Sequence, residues 1–208
     1  MWVWLAVSFS ALLHINAAYR GPQWQFYLFK PLTIVLLLAT ILQFGQGDGY
    51  QQWIIAGLLC SVAGDIFLML PKDKFVPGLT SFLLAHIVYS LAFWNELSGP
   101  IVWWLPALLM GAGIIVYLLL LPSLGRLALP VGVYIGVILQ MTWAAGEYWL
   151  TTRTGAGLAA FAGAMVFLVS DTLLALDRFR GNFRAATGSI MTTYYLAQSL
   201  LVVSVLLR

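Results

Sequence analysis

The chain has 208 residues, 62% of them hydrophobic and only 8% charged, with a net charge of +3. A water-soluble domain carries charge on about a quarter of its residues. That excludes a soluble fold, offers no basic surface for a nucleic acid, and leaves the bilayer as the solvent this chain fits.

No polar stretch is long enough to form a soluble unit, so residues 1–208 read as a single integral membrane domain. The N-terminal segment lacks the basic n-region of a cleavable signal peptide and reads as the first span. Apolar runs then follow at 2–18, 28–44, 51–70, 76–95, 101–121, 129–149, 157–176 and 187–207. Each is long enough to cross a hydrocarbon core of about 30 Å as a helix. The expected fold is therefore all-α, a polytopic bundle of eight transmembrane helices. Pro31, Pro100 and Pro130 mark expected helix starts, and Pro71 and Pro122 expected stops. The single cysteine, Cys60, excludes an internal disulfide and a thiolate-rich metal site.

Lys and Arg set the expected orientation. The odd-numbered connections hold Arg20, Lys30, Lys72, Lys74, Arg126, Arg178, Arg180 and Arg184, and the opposite side holds Arg153 and Arg208. The odd connections then face the cytoplasm and both termini lie outside. Most tryptophans fall near span ends, as an interfacial belt.

Two acids interrupt this pattern. Asp65 lies in "GLLCSVAGDIFLML" and Asp171 in the near-echo "GAMVFLVSDTLLAL". Each is expected five residues before a cytoplasmic helix end, about 8 Å inside the boundary. They stand 106 residues apart, about half the chain, which suggests a four-helix unit used twice. Gly57, Ser61, Gly64 and Asp65 share one helical stripe, as do Ala160, Ala164, Phe167 and Asp171. Small residues let helices approach closely, so both acids should point inward. Gly78, Phe82, His86 and Tyr89 form a similar face on the fourth run, and Thr192, Tyr195, Gln198 and Ser199 on the eighth. His14, Gln140 and Glu147 add polar groups elsewhere; His14 and Glu147 read first as structural.

An ionised Asp at the centre of a span costs about 2.5–3.5 kcal/mol on insertion scales. A structural hydrogen bond in a membrane returns less than about 1 kcal/mol on average. Function therefore outweighs structure for the pair. Two partly desolvated carboxylates at one depth do not both ionise, which leaves one acid and one base. Such a couple suits an acid-labile bond. Its depth suggests a lipid entering sideways, with its head group toward Lys30, Lys72 and the Arg178, Arg180 and Arg184 cluster. A zinc site built on His86, Asp65 and Asp171 would be thin in ligands. No G-x-S-x-G elbow occurs. The segment before Asp65 reads Val62-Ala63-Gly64, not the G-x-G-D of intramembrane aspartyl proteases. The competing class is a lipid or cation/proton transporter using the same acids, weakened by the lack of a Gly or Pro break at mid-span in the third and seventh runs.

The segments "FKPLT" at 29–33, "GDIFLML" at 64–70, "GLTSFLLAHIVY" at 78–89, "SDTLLAL" at 170–176 and "YYLAQSLL" at 194–201 resemble the YhhN family of lysoplasmalogenase-like membrane proteins. The resemblance spans nearly the whole chain, although the fifth and sixth runs carry little of it. It implies an eight-span bundle that hydrolyses the vinyl ether bond of a lysoplasmalogen, releasing a fatty aldehyde and glycerophosphoethanolamine or glycerophosphocholine. It implies that the family's two membrane aspartates fall on Asp65 and Asp171, its lysine on Lys30 and its histidine on His86. Tyr89, Tyr195 and Gln198 join them as orienting or substrate-binding candidates. The implied chemistry needs no metal and no organic cofactor. The expected partner is a lysophospholipid, and the expected location a bacterial inner membrane.

Overall fold

The computed structural model describes residues 2–181 and 183–208. Among these the chain is all-helical with no strand: α1 (Trp2–Arg20), α2 (Gln23–Phe44), α3 (Gly49–Met69), α4 (Phe75–Trp94), α5 (Trp104–Leu124), α6 (Ala128–Thr152), α7 (Gly155–Arg180) and α8 (Ala186–Leu206). Seven helical stretches among the described residues are long and apolar enough to cross a membrane. One of them, Trp104–Thr152, contains both α5 and α6, joined by a 3-10 turn at Gly125–Leu127. Gly125 has φ +50°, in the half of backbone space that favours glycine, and the chain reverses there. Leu109 then packs against Leu139, and Leu120 against Val131, so α5 and α6 lie side by side.

Among the described residues, side-chain caps open two of the helices. Asp48 accepts from the Gln51 amide at 2.8 Å at the start of α3, and Thr154 from the Gly157 amide at 3.1 Å at the start of α7. Each cap contributes about 1 kcal/mol. Packing does the rest. α3 lies along α4, α7 along α8, and α1 along α2; α6 packs against α4 and α7, and α8 reaches α1, α2 and α3. Small residues make the close approaches. A Cβ at Gly64 would lie 2.6 Å from the Phe82 ring. One at Gly163 would lie 3.1 Å from Leu201 and 3.2 Å from the Ala197 carbonyl. Gly64→Val should therefore overpack the α3–α4 seam and cost about 1–3 kcal/mol. A lower midpoint of thermal unfolding in detergent is the expected reading, and an unchanged midpoint would contradict the packing.

Polar clamps tie the helix ends together. Arg208 pairs with Asp48 at 2.9 Å and Glu96 at 2.8 Å, with its guanidinium over the Tyr50 ring. Glu147 is fully buried and accepts from the Val102 amide and the Trp143 indole, both at 2.9 Å. It holds the α4–α5 connection against α6, the structural role expected of it.

Several expected boundaries move. α2 begins at Gln23 rather than residue 28, so Pro31 lies inside it. Pro122 is also internal, in the last turn of α5. α7 runs to Arg180, past the expected end at 176, because its last turn carries Asp177, Arg178 and Arg180 and remains helical. Asp171 is thus nine residues from its helix end and Asp65 four from its own, instead of five for each. The cause is general: a helix need not stop where the apolar run stops, because charged residues form good helix wherever the end reaches water.

Candidate active site

The two aspartates come from helices that do not pack directly on each other, yet both line one cavity of about 520 Å³. Asp65 is buried on α3, next to Gly64, whose missing side chain admits Phe82 from α4. Its Oδ1 pairs with Lys30 Nζ at 3.4 Å, and its Oδ2 accepts from Tyr194 Oη at 2.7 Å. Lys30 was expected near a loop as well as beside the acids. It lies inside α2, only 5% exposed, with its ammonium turned to Asp65, and lines the same cavity.

Asp171 sits on α7 with its side chain 12% exposed. Tyr134 of α6 donates a hydrogen bond to its Oδ2, and His86 Nε2 of α4 lies 3.7 Å from the same oxygen. His86 is completely buried, its ring edge-on to Phe167 and Tyr134, and neither ring nitrogen has a hydrogen-bond partner among the described residues. The two acids therefore differ. Asp65 has a lysine counter-charge in contact; Asp171 has a phenol and a histidine.

A second cavity, of about 270 Å³, meets the first. Its walls come mainly from α4, α5, α6 and α7, with Leu79, Val116, Leu120, Ile135, Ile138 and Leu168 among them. The walls are almost wholly apolar. The two cavities share Leu68, Phe75, Phe82, Asp171 and Leu174. Asp171 is thus the one carboxylate that faces both spaces, and Asp65 faces only the polar one.

The remaining expected residues divide. His14 lines the polar cavity and makes a 2.8 Å hydrogen bond through Nδ1 to Tyr195 Oη. Tyr195 thus supports His14 and does not line the cavity itself. Tyr89 donates to Gln198 Oε1 at 2.8 Å, a buried bond that ties α4 to α8 behind the site. Neither Tyr89 nor Gln198 lines either cavity, so their contact with the site is indirect. Of the basic residues in and beside these connections, Lys74 and Arg178 line the polar cavity, while Lys72, Arg180 and Arg184 do not. Arg178 pairs with Asp73 at 2.5 Å and stacks on Phe75, which closes the α3–α4 connection onto the end of α7. That guanidinium holds the Asp73 carboxyl below its usual range. Among the described residues no three His, Cys, Asp or Glu side chains gather to hold a metal ion.

Two tyrosines of the site were not anticipated. Tyr194 was passed over for its neighbour Tyr195, because α8 buries both. Tyr134 lies in the sixth run, where the only signal is one hydroxyl in an apolar stretch.

Fold and site define a polytopic membrane protein with two inward-facing carboxylates on one cavity. The YhhN family model matches residues 25–205, and the chain belongs to that family. It is similar over its full length to the uncharacterized membrane protein YhhN of Escherichia coli O157:H7, with 33% identity and the whole of both chains aligned. It is 34% identical to bovine lysoplasmalogenase TMEM86A, over 88% of this chain and 79% of that protein. Human lysoplasmalogenase TMEM86B is 32% identical over 88% of this chain and 76% of its own. No solved structure matches.

Proposed function

We propose that this protein is a lysoplasmalogenase-like hydrolase that cleaves the vinyl ether bond of a single-chain glycerophospholipid within the membrane. The observation that carries this reading is the position of Asp171, at the meeting of an apolar cavity and a polar one that also holds Asp65 and Lys30. An amphiphile with one aliphatic chain fits the pair of cavities: chain in the first, head group in the second. Its ether linkage then lies beside Asp171. The names of the mammalian relatives support the same activity.

In the proposed reaction Asp171, with no lysine or arginine in contact, carries the proton and delivers it to the outer vinyl carbon. The C=C π electrons form the new C–H bond, and the ether oxygen shares the positive charge as an oxocarbenium ion. Asp65, kept as a carboxylate by Lys30 and Tyr194, offsets that charge and takes a proton from the attacking water. The hemiacetal's C–O bond to glycerol then breaks as its hydroxyl proton passes to the glycerol oxygen, so aldehyde and alcohol leave; the proton held by Asp65 goes to water and Asp171 takes one back, which restores the pair. The Tyr134 hydroxyl fixes the Asp171 carboxyl, and His86 walls it on the other side at 3.7 Å. The test is aldehyde release from vinyl-ether lysophosphatidylethanolamine by the purified protein, followed by mass spectrometry. Aldehyde confirms the hydrolase. Transfer of intact lipid across a vesicle membrane without aldehyde would replace it with a transporter.

The same reading has eight crossings, with the odd connections cytoplasmic and both termini outside. The reversal at Gly125 supports two crossings in the Trp104–Thr152 stretch. Without Lys30, seven basic residues still favour the inner side over two. In a Cys60→Ala background, Gly99→Cys should react with an impermeant maleimide on intact cells and Lys72→Cys should not. The reverse pattern would invert the orientation.

We also read the bundle as two four-helix units. Asp65 of the first takes Lys30 from α2 and Tyr194 from α8; Asp171 of the second takes Tyr134 from α6 and faces His86 on α4. Under the 106-residue offset, α2 corresponds to α6 and α4 to α8. Tyr134 and Tyr194 then fall within two positions of the equivalents of Lys30 and His86. Each acid thus draws one partner from the helix before its own and one from the last helix of the other unit.

A further inference from the structure

Two acids on the polar cavity's lining, Asp73 and Asp177, have no part in the reaction above. Asp177 lies on the last turns of α7, in the extension beyond the apolar run, and lines the cavity with Lys30, Lys74, Arg178 and Thr187. The other charged groups on that lining are Asp65, Asp73 and Asp171. Lys30 is engaged by Asp65 and Arg178 by Asp73. Asp177 forms no ion pair among the described residues, and its Oδ1 is buried without a hydrogen-bond donor. The residue as a whole is half-buried and reaches the cavity, so a donor from outside the chain can meet its carboxylate. Asp177 is six residues beyond Asp171, about 9 Å along the helix axis. That separation is of the order of an extended glycerophosphoethanolamine, from ether oxygen to nitrogen.

We propose that Asp177 receives the terminal ammonium of a zwitterionic phosphodiester head group, and so selects ethanolamine-type lysolipids. This rests on the reading of the cavity as the lipid site. Lys74, which lines the cavity and among the described residues is in none of its ion pairs, meets the phosphate, and Asp177 meets the positive end. A primary ammonium supplies N–H donors to a carboxylate, whereas a quaternary ammonium has none and a bare phosphate monoester has no positive end. An anionic head group would also bring its charge against Asp177 with nothing in return.

The test uses alkyl-ether lysolipids, which lack the vinyl bond and are not cleaved, so binding is read apart from chemistry. Ethanolamine, choline and phosphate-only forms are titrated onto the full-length protein in nanodiscs. The wild type should bind the ethanolamine form at least about tenfold more tightly than either other form, as one charge-assisted hydrogen bond implies. Asp177→Asn should bring the three to within about threefold of each other. Asp177→Glu, which keeps the charge, should retain the order. A wild type without preference, or an Asp177→Asn variant with the wild-type ratios, overturns the inference while leaving the hydrolase intact. A folded protein that binds none of the three overturns the lipid-site reading itself.

Discussion

Asp171→Asn is expected to abolish aldehyde release while leaving a folded protein. The substitution keeps the shape of the side chain, and an amide oxygen still accepts the hydrogen bond from Tyr134. What it removes is the transferable proton at the junction of the two cavities. A positioned general acid contributes about 10²–10⁴-fold. Protonation at carbon is the difficult step for a vinyl ether, so the loss should lie at the upper end of that range. The readouts are aldehyde formation over a long incubation, and the thermal midpoint in detergent beside it. Near-normal turnover would sink the assignment of Asp171 as the acid. A collapse in stability with residual specific activity would move it to a structural role.

The second large effect concerns Lys30. Lys30→Met leaves Asp65 buried, at 1% side-chain exposure, with its counter-charge gone. Removing one partner of a buried pair costs about 3–5 kcal/mol, because an uncompensated charge remains. Asp65→Asn alone strands the ammonium in the same way, so its loss of activity is not cleanly a catalytic effect. The double variant Lys30→Met with Asp65→Asn has no stranded charge. It should recover most of the lost stability and none of the activity. A double-mutant cycle on thermal or denaturant unfolding measures the coupling. Additive losses, with the double variant worse than either single one, would contradict the pair as the structure has it. Recovered activity would remove Asp65 from the chemistry.

The family of the chain and its membrane class were open to reading from residues alone. Lipid-facing helices must be apolar over long runs, and such runs are visible in a one-dimensional string. Asp65 and Asp171 were legible for the converse reason: a carboxylate in an apolar run is costly enough to stand out wherever it lies. The stripes of small residues beside them marked the inward faces of α3 and α7, because a missing side chain is what permits contact.

What the sequence did not carry is which polar groups meet. A helix that is apolar nearly all round has no amphipathic face, so its inward side is chosen by neighbours and not by its own pattern. Hence Tyr195 stood out on the eighth run and Tyr194 did not until α3 and α1 were packed around α8, and Tyr134 had no partner until α6 lay against α4 and α7. Lys30 read as an interfacial charge until α2 was seen to begin a turn earlier and carry it inward. Asp177 was hidden by the same kind of boundary, since an apolar run ends before the helix does. Local sequence determined the solvent, the helices and the two costly acids, each through a cost borne by single segments. Only the tertiary structure decided the partners of those acids and the two cavities that meet at Asp171, because both arise from contacts between helices far apart in the chain.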